Sequence, residues 1–125
     1  MGSFLEMRKI IKLFNNNMVL NNIDFCADKG KVNALVGENG AGKSTLMKIL
    51  AGLYPPDSGE IFIDGKKVSI NNPKQAQELG IAMIYQEMRL FPDLNIAENI
   101  FIRREPMKNS KLVRRIDWDV MYKKT

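Results

Sequence analysis

The sequence predicts an α/β fold built around a strand, a glycine-rich loop and a helix. Residues 37–45, Gly-Glu-Asn-Gly-Ala-Gly-Lys-Ser-Thr, fit the GxxxxGK[ST] pattern of phosphate-binding loops at every fixed position. The preceding residues, 32–36, form a short apolar run that predicts a buried strand. Four apolar residues after the loop recur at the spacing of one helical face, namely Leu46, Ile49, Leu50 and Leu53. Because the loop lies between a strand and a helix, the pattern predicts that the chain binds a nucleoside triphosphate.

Each residue type in the loop suits phosphate binding for a chemical reason. Glycines allow the backbone to curl, so that successive N–H groups converge on a phosphate at the helix N-terminus. Lys43 supplies a point charge for the outer phosphates, and the Ser44 hydroxyl suits a Mg²⁺ ion that bridges the same oxygens. An ordinary glycine-rich turn is the alternative, but the flanking strand and helix favour nucleotide binding. The predicted cofactor-binding residues are Asn39, Gly40, Ala41, Gly42, Lys43, Ser44 and Thr45, with Ser44 also a metal ligand.

Length and composition exclude several classes of protein. The chain has 125 residues, 45% of them hydrophobic and 26% charged, which suits one modest globular domain. It contains neither a membrane-spanning apolar run nor the apolar core of a signal peptide, so we expect a cytosolic location. A single cysteine, Cys26, excludes an internal disulfide framework, and we expect it to be a buried or half-buried strand residue. The absence of histidine excludes His-based catalysis within this chain.

The positive charge lies in the C-terminal tail. Residues 103–125 contain eight basic and three acidic residues, which accounts for the whole net charge of +5 and leaves residues 1–102 neutral. The aromatic residues of this tail, Trp118 and Tyr122, do not alternate with basic ones, which favours a solvated connector over a nucleic-acid surface. We therefore expect no nucleic-acid partner.

Strand patterns surround the loop. Residues 5–14 predict a strand, and residues 19–28 predict a second one that turns at Lys29 and Gly30 to form a hairpin with the strand before the loop. That arrangement would place the loop strand centrally. A second hairpin is predicted where Ile61–Ile63 and Val68 to Ile70 flank the turn dipeptide Asp64–Gly65.

Helix signals dominate the second half of the chain. Pro73 predicts the start of a short helix that Gly80 closes, and the apolar run 81–85 then predicts a second buried strand ending at Gln86. Asn95 is the predicted cap of a helix through Ile102, and Asp117 is the predicted cap of a final helix.

Two segments resemble a known family. GENGAGKSTLMKILAGLYPPDSGEI and GIAMIYQEMRLFPDLNIAENIF are similar to the ATP-binding subunits of ABC transporters. The string IYQE, the continuation through Asn95–Phe101 and the late Ile116–Trp118 most resemble importers of monosaccharides such as ribose, galactose or xylose. The resemblance implies a P-loop NTPase fold, specifically a partial ABC ATPase core with an antiparallel β-subdomain and the Walker A strand, loop and helix.

The resemblance also implies roles for individual residues. Gly37–Thr45 would be the Walker A loop, and Gln86 would be the Q-loop glutamine, which ligates Mg²⁺ or the attacking water. Lys43 and Gln86 are therefore the expected catalytic residues, with ATP and Mg²⁺ as cofactors. Phe14 falls where the family carries an aromatic residue that stacks on adenine, although a core position is the alternative interpretation.

The sequence departs from the family where hydrolysis is completed. It has no LSGGQ-like signature, no Walker B strand with its catalytic glutamate and no switch histidine, and its last glycine is Gly80. We therefore expect residues 1–125 to form a partial nucleotide-binding domain, with residues 103–125 as a basic connector toward the missing helical subdomain. Such a fragment would bind nucleotide without efficient hydrolysis, and its incomplete parallel sheet would be marginally stable or self-associating.

Three functions remain open at this stage. The first is the ATP-binding component of a sugar importer, which couples MgATP binding and hydrolysis to uptake. Its partners would be membrane subunits, a sugar-binding protein and a second cassette, at the inner face of the cell membrane. The second is a soluble ABC-type ATPase acting on nucleic acid or ribosomes, for which the basic tail is the supporting feature. The third is a non-enzymatic fragment that binds nucleotide weakly or assembles with a partner.

Overall fold

The computed structural model describes residues 3–85, 90–102, 104–108 and 115–125. The chain divides into two compact units, Met1–Ile84 and Tyr85–Thr125, which we call the first unit and the second unit. Within the described residues, every helix falls short of the length and apolar character needed to cross a bilayer.

A four-stranded antiparallel sheet forms the centre of the first unit. The strands lie in the spatial order β2, β1, β3, β4, so β2 and β4 are its edges. Their bounds are Leu5–Phe14 for β1, Asn17–Ala27 for β2, Ser58–Ile63 for β3 and Lys66–Val68 for β4. The sheet confirms the strands predicted at 5–14 and 19–28 and the hairpin predicted around Asp64.

The first hairpin differs from the predicted one. β2 pairs with β1, and not with residues 32–36, through the two-residue turn Asn15–Asn16. Both asparagines have positive φ, 48° and 64°, as a type I′ turn requires, and asparagine tolerates this conformation well. The predicted pairing was wrong because this short turn brings together two long strands that are adjacent in sequence.

Strand β2 alternates between a half-buried face and an exposed face. Ile23, Phe25 and Ala27 are half-buried, whereas Asp24 and Cys26 between them are exposed. The prediction of a buried or half-buried Cys26 was therefore wrong. The alternation places this residue on the face of an edge strand that meets solvent.

Helix α1 follows the glycine-rich loop and packs on the sheet. It spans Lys43–Leu50, and Leu46 and Ile49 are buried on its inner face. The hydrophobic core joins these two residues to side chains of the sheet and of the segment that follows it, namely Met7, Ile10, Leu20, Ile61, Ile70 and Ala76. Three of the four residues predicted for this face, Leu46, Ile49 and Leu50, are buried or half-buried. Leu53 follows the end of the helix and is exposed, so its predicted place on the face was wrong.

A Schellman motif ends α1 at Gly52. The Gly52 amide donates to the Ile49 carbonyl and the Leu53 amide donates to the Lys48 carbonyl, both at 2.9 Å. Gly52 has a φ of 74°, and a Cβ atom there would lie 2.3 Å from the Asn72 carbonyl oxygen. Glycine is therefore required both for the turn and for the close approach of the two backbones.

The two apolar runs predicted as buried strands form no strand. In the first run, Val32 and Val36 are 101% and 87% exposed, and in the second Ile84 is 92% exposed. A strand of a parallel sheet needs partner strands at its edges and cover on both faces. The strands in the described part of the chain pair only with one another, so both predictions were wrong.

The predicted helix at Pro73 is present. Helix α2 spans Pro73–Glu78, with proline in its first turn and the side chain of Asn72 accepting a 2.9 Å hydrogen bond from the Gln75 amide. Gly80 follows with a φ of 83°, as the predicted stop requires.

Two short helices of the second unit start at the predicted caps. Helix α3 spans Ile96–Phe101, one residue shorter than predicted, and α4 spans Trp118–Lys123. Asn95 and Glu98 form a complete capping box, and the Asp117 side chain accepts from the Val120 amide at 3.2 Å. A two-stranded ladder, β5 Met107–Lys108 with β6 Arg115–Ile116, lies before α4 in the chain.

Candidate functional site

The glycine-rich loop leads into α1 through two left-handed residues. Gly40 and Gly42 both have a φ of 85°, and the Ala41 amide between them donates to the Glu38 carbonyl at 3.2 Å. Residues 37–40 of the loop are exposed to solvent. The glycines thus permit the curled backbone that was predicted for phosphate binding.

The start of α1 carries no side-chain cap. Gly42 occupies the capping position and has no side chain, whereas Asn72, Asn95 and Asp117 cap the other described helices. The first amide groups of a helix have no intrahelical acceptor, and together they favour a negatively charged group. The exposed loop and the uncapped helix therefore present backbone donors where a phosphate can accept from them.

Lys43 folds back onto the carbonyl groups of the loop. Its Nζ atom donates to the carbonyls of Gly37 and Glu38, each at 2.6 Å. Both acceptors are neutral backbone groups of the same loop. The positive charge is therefore not neutralised by either contact, and it remains available to a phosphate.

The loop is seated on β2 by a close contact at Gly42. A Cβ atom at this position would lie 2.5 Å from Leu20 Cδ2 and 3.0 Å from the Val19 carbonyl oxygen. By contrast, nothing lies within 4 Å of a Cβ placed on Gly40. The missing side chain of Gly42 thus allows the loop to pack directly on the sheet.

The remaining predicted loop residues lie on either side of Gly42. Asn39 and Ala41 are exposed before the helix, while exposed Ser44 and half-buried Thr45 lie in the first turn of α1. The described residues contain no group of three His, Cys, Asp or Glu side chains suited to holding a metal ion. The role of Ser44 as a metal ligand stays a prediction. Gln86, the other predicted metal ligand, lies outside the described residues.

Phe14 is the last residue of β1 and contacts two side chains that sequence reasoning missed. Its ring centroid lies 5.1 Å from that of Tyr54 in an edge arrangement, and 5.5 Å from Lys12 Nζ. Phe14 is half-buried. Lys12 and Phe14 are two residues apart in one strand, so they share a face, and this spacing could have indicated their contact. Nothing in the sequence indicated the contact with Tyr54.

Asp57 is a third residue that the sequence indicated only as part of a turn. Its Oδ2 atom accepts from the Leu13 amide at 2.6 Å, and its Oδ1 atom accepts from Lys12 Nζ at 3.1 Å. These two hydrogen bonds, the backbone one first, lower the pKa of Asp57 below its ordinary value of 3.8. Asp57 is therefore ionised at neutral pH and faces a lysine.

Comparison with known proteins gives the family. The ABC transporter family model matches residues 20–124. The ribose import ATP-binding protein RbsA of Caldanaerobacter subterraneus is 52% identical over 118 residues, covering 94% of this chain and 23% of the relative. A putative ribose/galactose/methyl galactoside import ATP-binding protein of Burkholderia cenocepacia is also 52% identical, over 87% of this chain and 21% of its own length.

Solved structures agree with this assignment. A nucleotide-free ATP-binding cassette from an ABC transporter matches with a TM-score of 0.75 and 26% identity, over 89% of this chain and 44% of the cassette. An ATP-binding cassette in its ADP conformation matches with a TM-score of 0.60 and 28% identity, over 64% of this chain and 32% of the cassette.

These comparisons confirm the predicted P-loop NTPase fold and the predicted family resemblance. The chain spans about a fifth of the length of the curated relatives that it matches. The family model covers most of the sequence, and the solved ATP-binding cassettes share the fold of this chain. The chain therefore belongs to the ABC transporter family and has the fold of its ATP-binding cassettes.

Proposed function

We propose that this chain contains the phosphate-binding part of the ATP-binding component of a monosaccharide importer. The observation that carries the proposal is the uncapped start of α1, where Gly42 is packed on β2 and Lys43 donates to the backbone carbonyls of Gly37 and Glu38. Relatives that are 52% identical and named for ribose or galactose import support the substrate class.

The loop residues would share the binding of MgATP. Backbone amides of residues 40–45 would donate to the phosphates, and Lys43 would exchange its two carbonyl acceptors for phosphate oxygens. Ser44 and Gln86 would hold Mg²⁺, which neutralises charge on the phosphates when it is bound. Phe14 would lie at the adenine.

Turnover belongs to the longer protein in this proposal. Hydrolysis requires a group that orients and activates water, and this chain has no histidine, LSGGQ-like signature or Walker B strand to contribute. We therefore expect the 125 residues to bind nucleotide without efficient hydrolysis. In the longer protein, binding and hydrolysis of MgATP would be coupled to sugar uptake.

Partners of the importer would contact the second unit. Four apolar side chains of this unit are more than half exposed, namely Leu90, Phe91, Ile96 and Ile100. They also line an open, mainly apolar cavity of about 380 Å³. An apolar surface of this kind fits a protein partner. We assign it to a membrane subunit, which would hold the protein at the inner face of the membrane. A second cassette and a sugar-binding protein complete the proposed assembly.

One basic residue of the tail is paired with carboxylates, which reduces the support for action on nucleic acid. Lys108 Nζ lies 3.3 Å from Asp119 and 3.8 Å from Asp117, so its charge is balanced by acidic neighbours. Binding of RNA or DNA that weakens steeply with salt would support the alternative.

Calorimetric titration of MgATP tests the proposal, with phosphate release followed in the same samples. The wild-type chain should bind without turnover, and Lys43→Ala should weaken binding by about ten- to a hundredfold, as expected for loss of a charged hydrogen-bond donor. Lys48→Ala, in the last turn of the same helix, is the matched control and should bind as wild type does. A folded wild-type chain that does not bind MgATP would refute the proposed site. Turnover that depends on Lys43 would refute the proposal that this chain lacks a group to activate water.

A further inference from the structure

Lys12 is the one charged side chain that is buried in the described part of the chain, with 7% of its surface exposed. It lies near the end of β1, two residues before Phe14. Burying an ammonium group is unfavourable unless its charge and its hydrogen-bonding capacity are both satisfied. Its surroundings therefore need to be specific.

The lysine joins the end of β1 to the segment that follows α1. Lys12 Nζ donates to the Pro55 carbonyl at 2.8 Å and to Asp57 Oδ1 at 3.1 Å. Asp57 returns two further contacts, accepting from the Leu13 amide at 2.6 Å and donating its own amide to the Ile11 carbonyl at 3.0 Å. These four hydrogen bonds hold the two backbones together.

Phe14 is held by the same cluster. Lys12 Nζ lies over its ring at 5.5 Å, a distance at which a cation and an aromatic face attract each other. Tyr54, which directly precedes Pro55, contacts the Phe14 ring edge-on. The position of the ring thus depends on the segment that Lys12 binds.

The strand register connects this cluster to the phosphate loop. Lys12 of β1 is paired with Leu20 of β2. Leu20 is the side chain that packs on Gly42, where a Cβ atom would be only 2.5 Å away. Phe14 is therefore linked to the start of α1 through Lys12 and Leu20, and to the end of α1 through Pro55 and Asp57.

From these contacts we infer that Lys12 is a positioning residue, which holds Phe14 at the separation from the phosphate loop that a bound nucleoside triphosphate requires. The inference rests on the proposed function and deepens it. Lys12 itself touches the aromatic ring and the backbone, so its effect on a ligand is exerted through Phe14. Loss of the lysine should weaken recognition of the base and leave recognition of the phosphates unchanged.

Two magnesium-bound probes separate these effects, ATP and inorganic tripolyphosphate, which lacks the base. Lys12→Met keeps the apolar stem of the side chain and should weaken ATP binding by about tenfold, which is within the range that base stacking on an aromatic ring contributes. Tripolyphosphate should bind to Lys12→Met as tightly as it binds to the wild-type chain. Lys12→Arg, which retains the charge and hydrogen-bond donors, should recover most of the ATP affinity.

Further variants separate positioning from a general loss of structure. Phe14→Leu should show the same selectivity as Lys12→Met, and the double variant should bind ATP no more weakly than Phe14→Leu alone. Lys66→Met, at an exposed lysine of β4, is the control and should change neither affinity. If Lys12→Met does not fold, Asp57→Asn replaces it, because Asp57 is exposed and the change removes the charge that faces Lys12 and one of the two oxygens that accept from Lys12 and the Leu13 amide.

The outcomes distinguish the two proposals. If wild type binds neither probe, the proposed function is wrong and this inference falls with it. If wild type binds both probes through Lys43, but folded Lys12→Met or Asp57→Asn loses them equally, the inference alone is overturned. Unchanged ATP binding in those variants would overturn it as well.

Discussion

Helix α1 starts after Gly42 with no side chain bonded to its first amides, whereas helix α3 starts after Asn95 with a complete capping box. Every helix leaves its first amides without intrahelical acceptors, so both starts have the same requirement. In α3 the Asn95 side chain accepts from the Glu98 amide at 3.0 Å, and the Glu98 side chain accepts from the Asn95 amide at 2.8 Å. Side chains of α3 thus satisfy the Asn95 and Glu98 amides, while the start of α1 has no side-chain acceptor and leaves its donors for a ligand.

The difference shows how one element can favour stability and another binding. A cap at Gly42 would stabilise α1, but it would occupy the amides that phosphate needs. Gly42 also cannot be replaced freely, because of its positive φ and its contact with Leu20. The stabilising cap is therefore absent where the proposed function requires open donors.

Among the variants that test the two helix starts, Gly42→Ala is expected to have the largest effect. The added methyl group meets Leu20 and the Val19 carbonyl at a left-handed backbone position, which should lower the free energy of unfolding by about 1–3 kcal/mol and weaken MgATP binding. Urea unfolding and calorimetry measure the two effects. Gly40→Ala has the same φ but open space around the methyl group, so it should cost only about 1 kcal/mol. Equal losses for both variants would show that packing on β2 is unimportant.

Asn95→Ala should produce a smaller effect of a different kind. Removal of this cap should destabilise α3 by about 1 kcal/mol, visible as faster hydrogen exchange of the Glu98 amide. MgATP affinity should be unchanged, because α3 satisfies its own amides. An equally large loss of MgATP affinity in Asn95→Ala and Gly42→Ala would break the comparison between the two helix starts.

The free energy of unfolding should depend on pH through Asp57, which lies in the segment after α1. Its pKa is lowered on folding, so the unfolded chain binds the proton more readily, and the stabilisation present at neutral pH is lost as pH falls through that lowered pKa. Urea unfolding should therefore show that wild type exceeds Asp57→Asn in stability at about pH 7, and that this advantage shrinks at about pH 3. A constant difference across that range would contradict the assignment to this carboxylate.

Val36→Thr should have the smallest effect. Val36 precedes the loop and is 87% exposed, so the change should alter the free energy of unfolding by less than about 0.5 kcal/mol. Ile49→Ala in the buried face of α1 is the contrasting variant and should cost about 2–5 kcal/mol. A large loss for Val36→Thr in urea unfolding would mean that residues 32–36 are buried in solution.

Short-range signals predicted most of the fold and the phosphate loop. The caps Asn95 and Asp117, the stop at Gly80 and the buried face of α1 depend on residues within about two helical turns of one another, so they can be inferred from the sequence. The loop was predicted for the same reason, since its spacing specifies its backbone. These elements are present as expected.

Predictions that depended on distant partners were less successful. The apolar runs 32–36 and 81–85 have the composition of buried strands, but composition does not show whether a neighbouring strand is available. The Lys12 cluster was missed for a related reason, because a lysine in an alternating strand is ordinarily exposed and its partner Asp57 lies 45 residues later. Burial at Lys12 became evident only from the packing of the segment after α1.

The two edges of the four-stranded sheet affect how copies of this chain would meet one another. An exposed edge can extend a sheet by pairing with another molecule, and charged or irregular edges oppose this. β4 is only three residues long and carries exposed Lys66 and Lys67, while β2 is interrupted at Asn22, whose φ is 49°. Both features oppose pairing of this sheet with the sheet of a second copy.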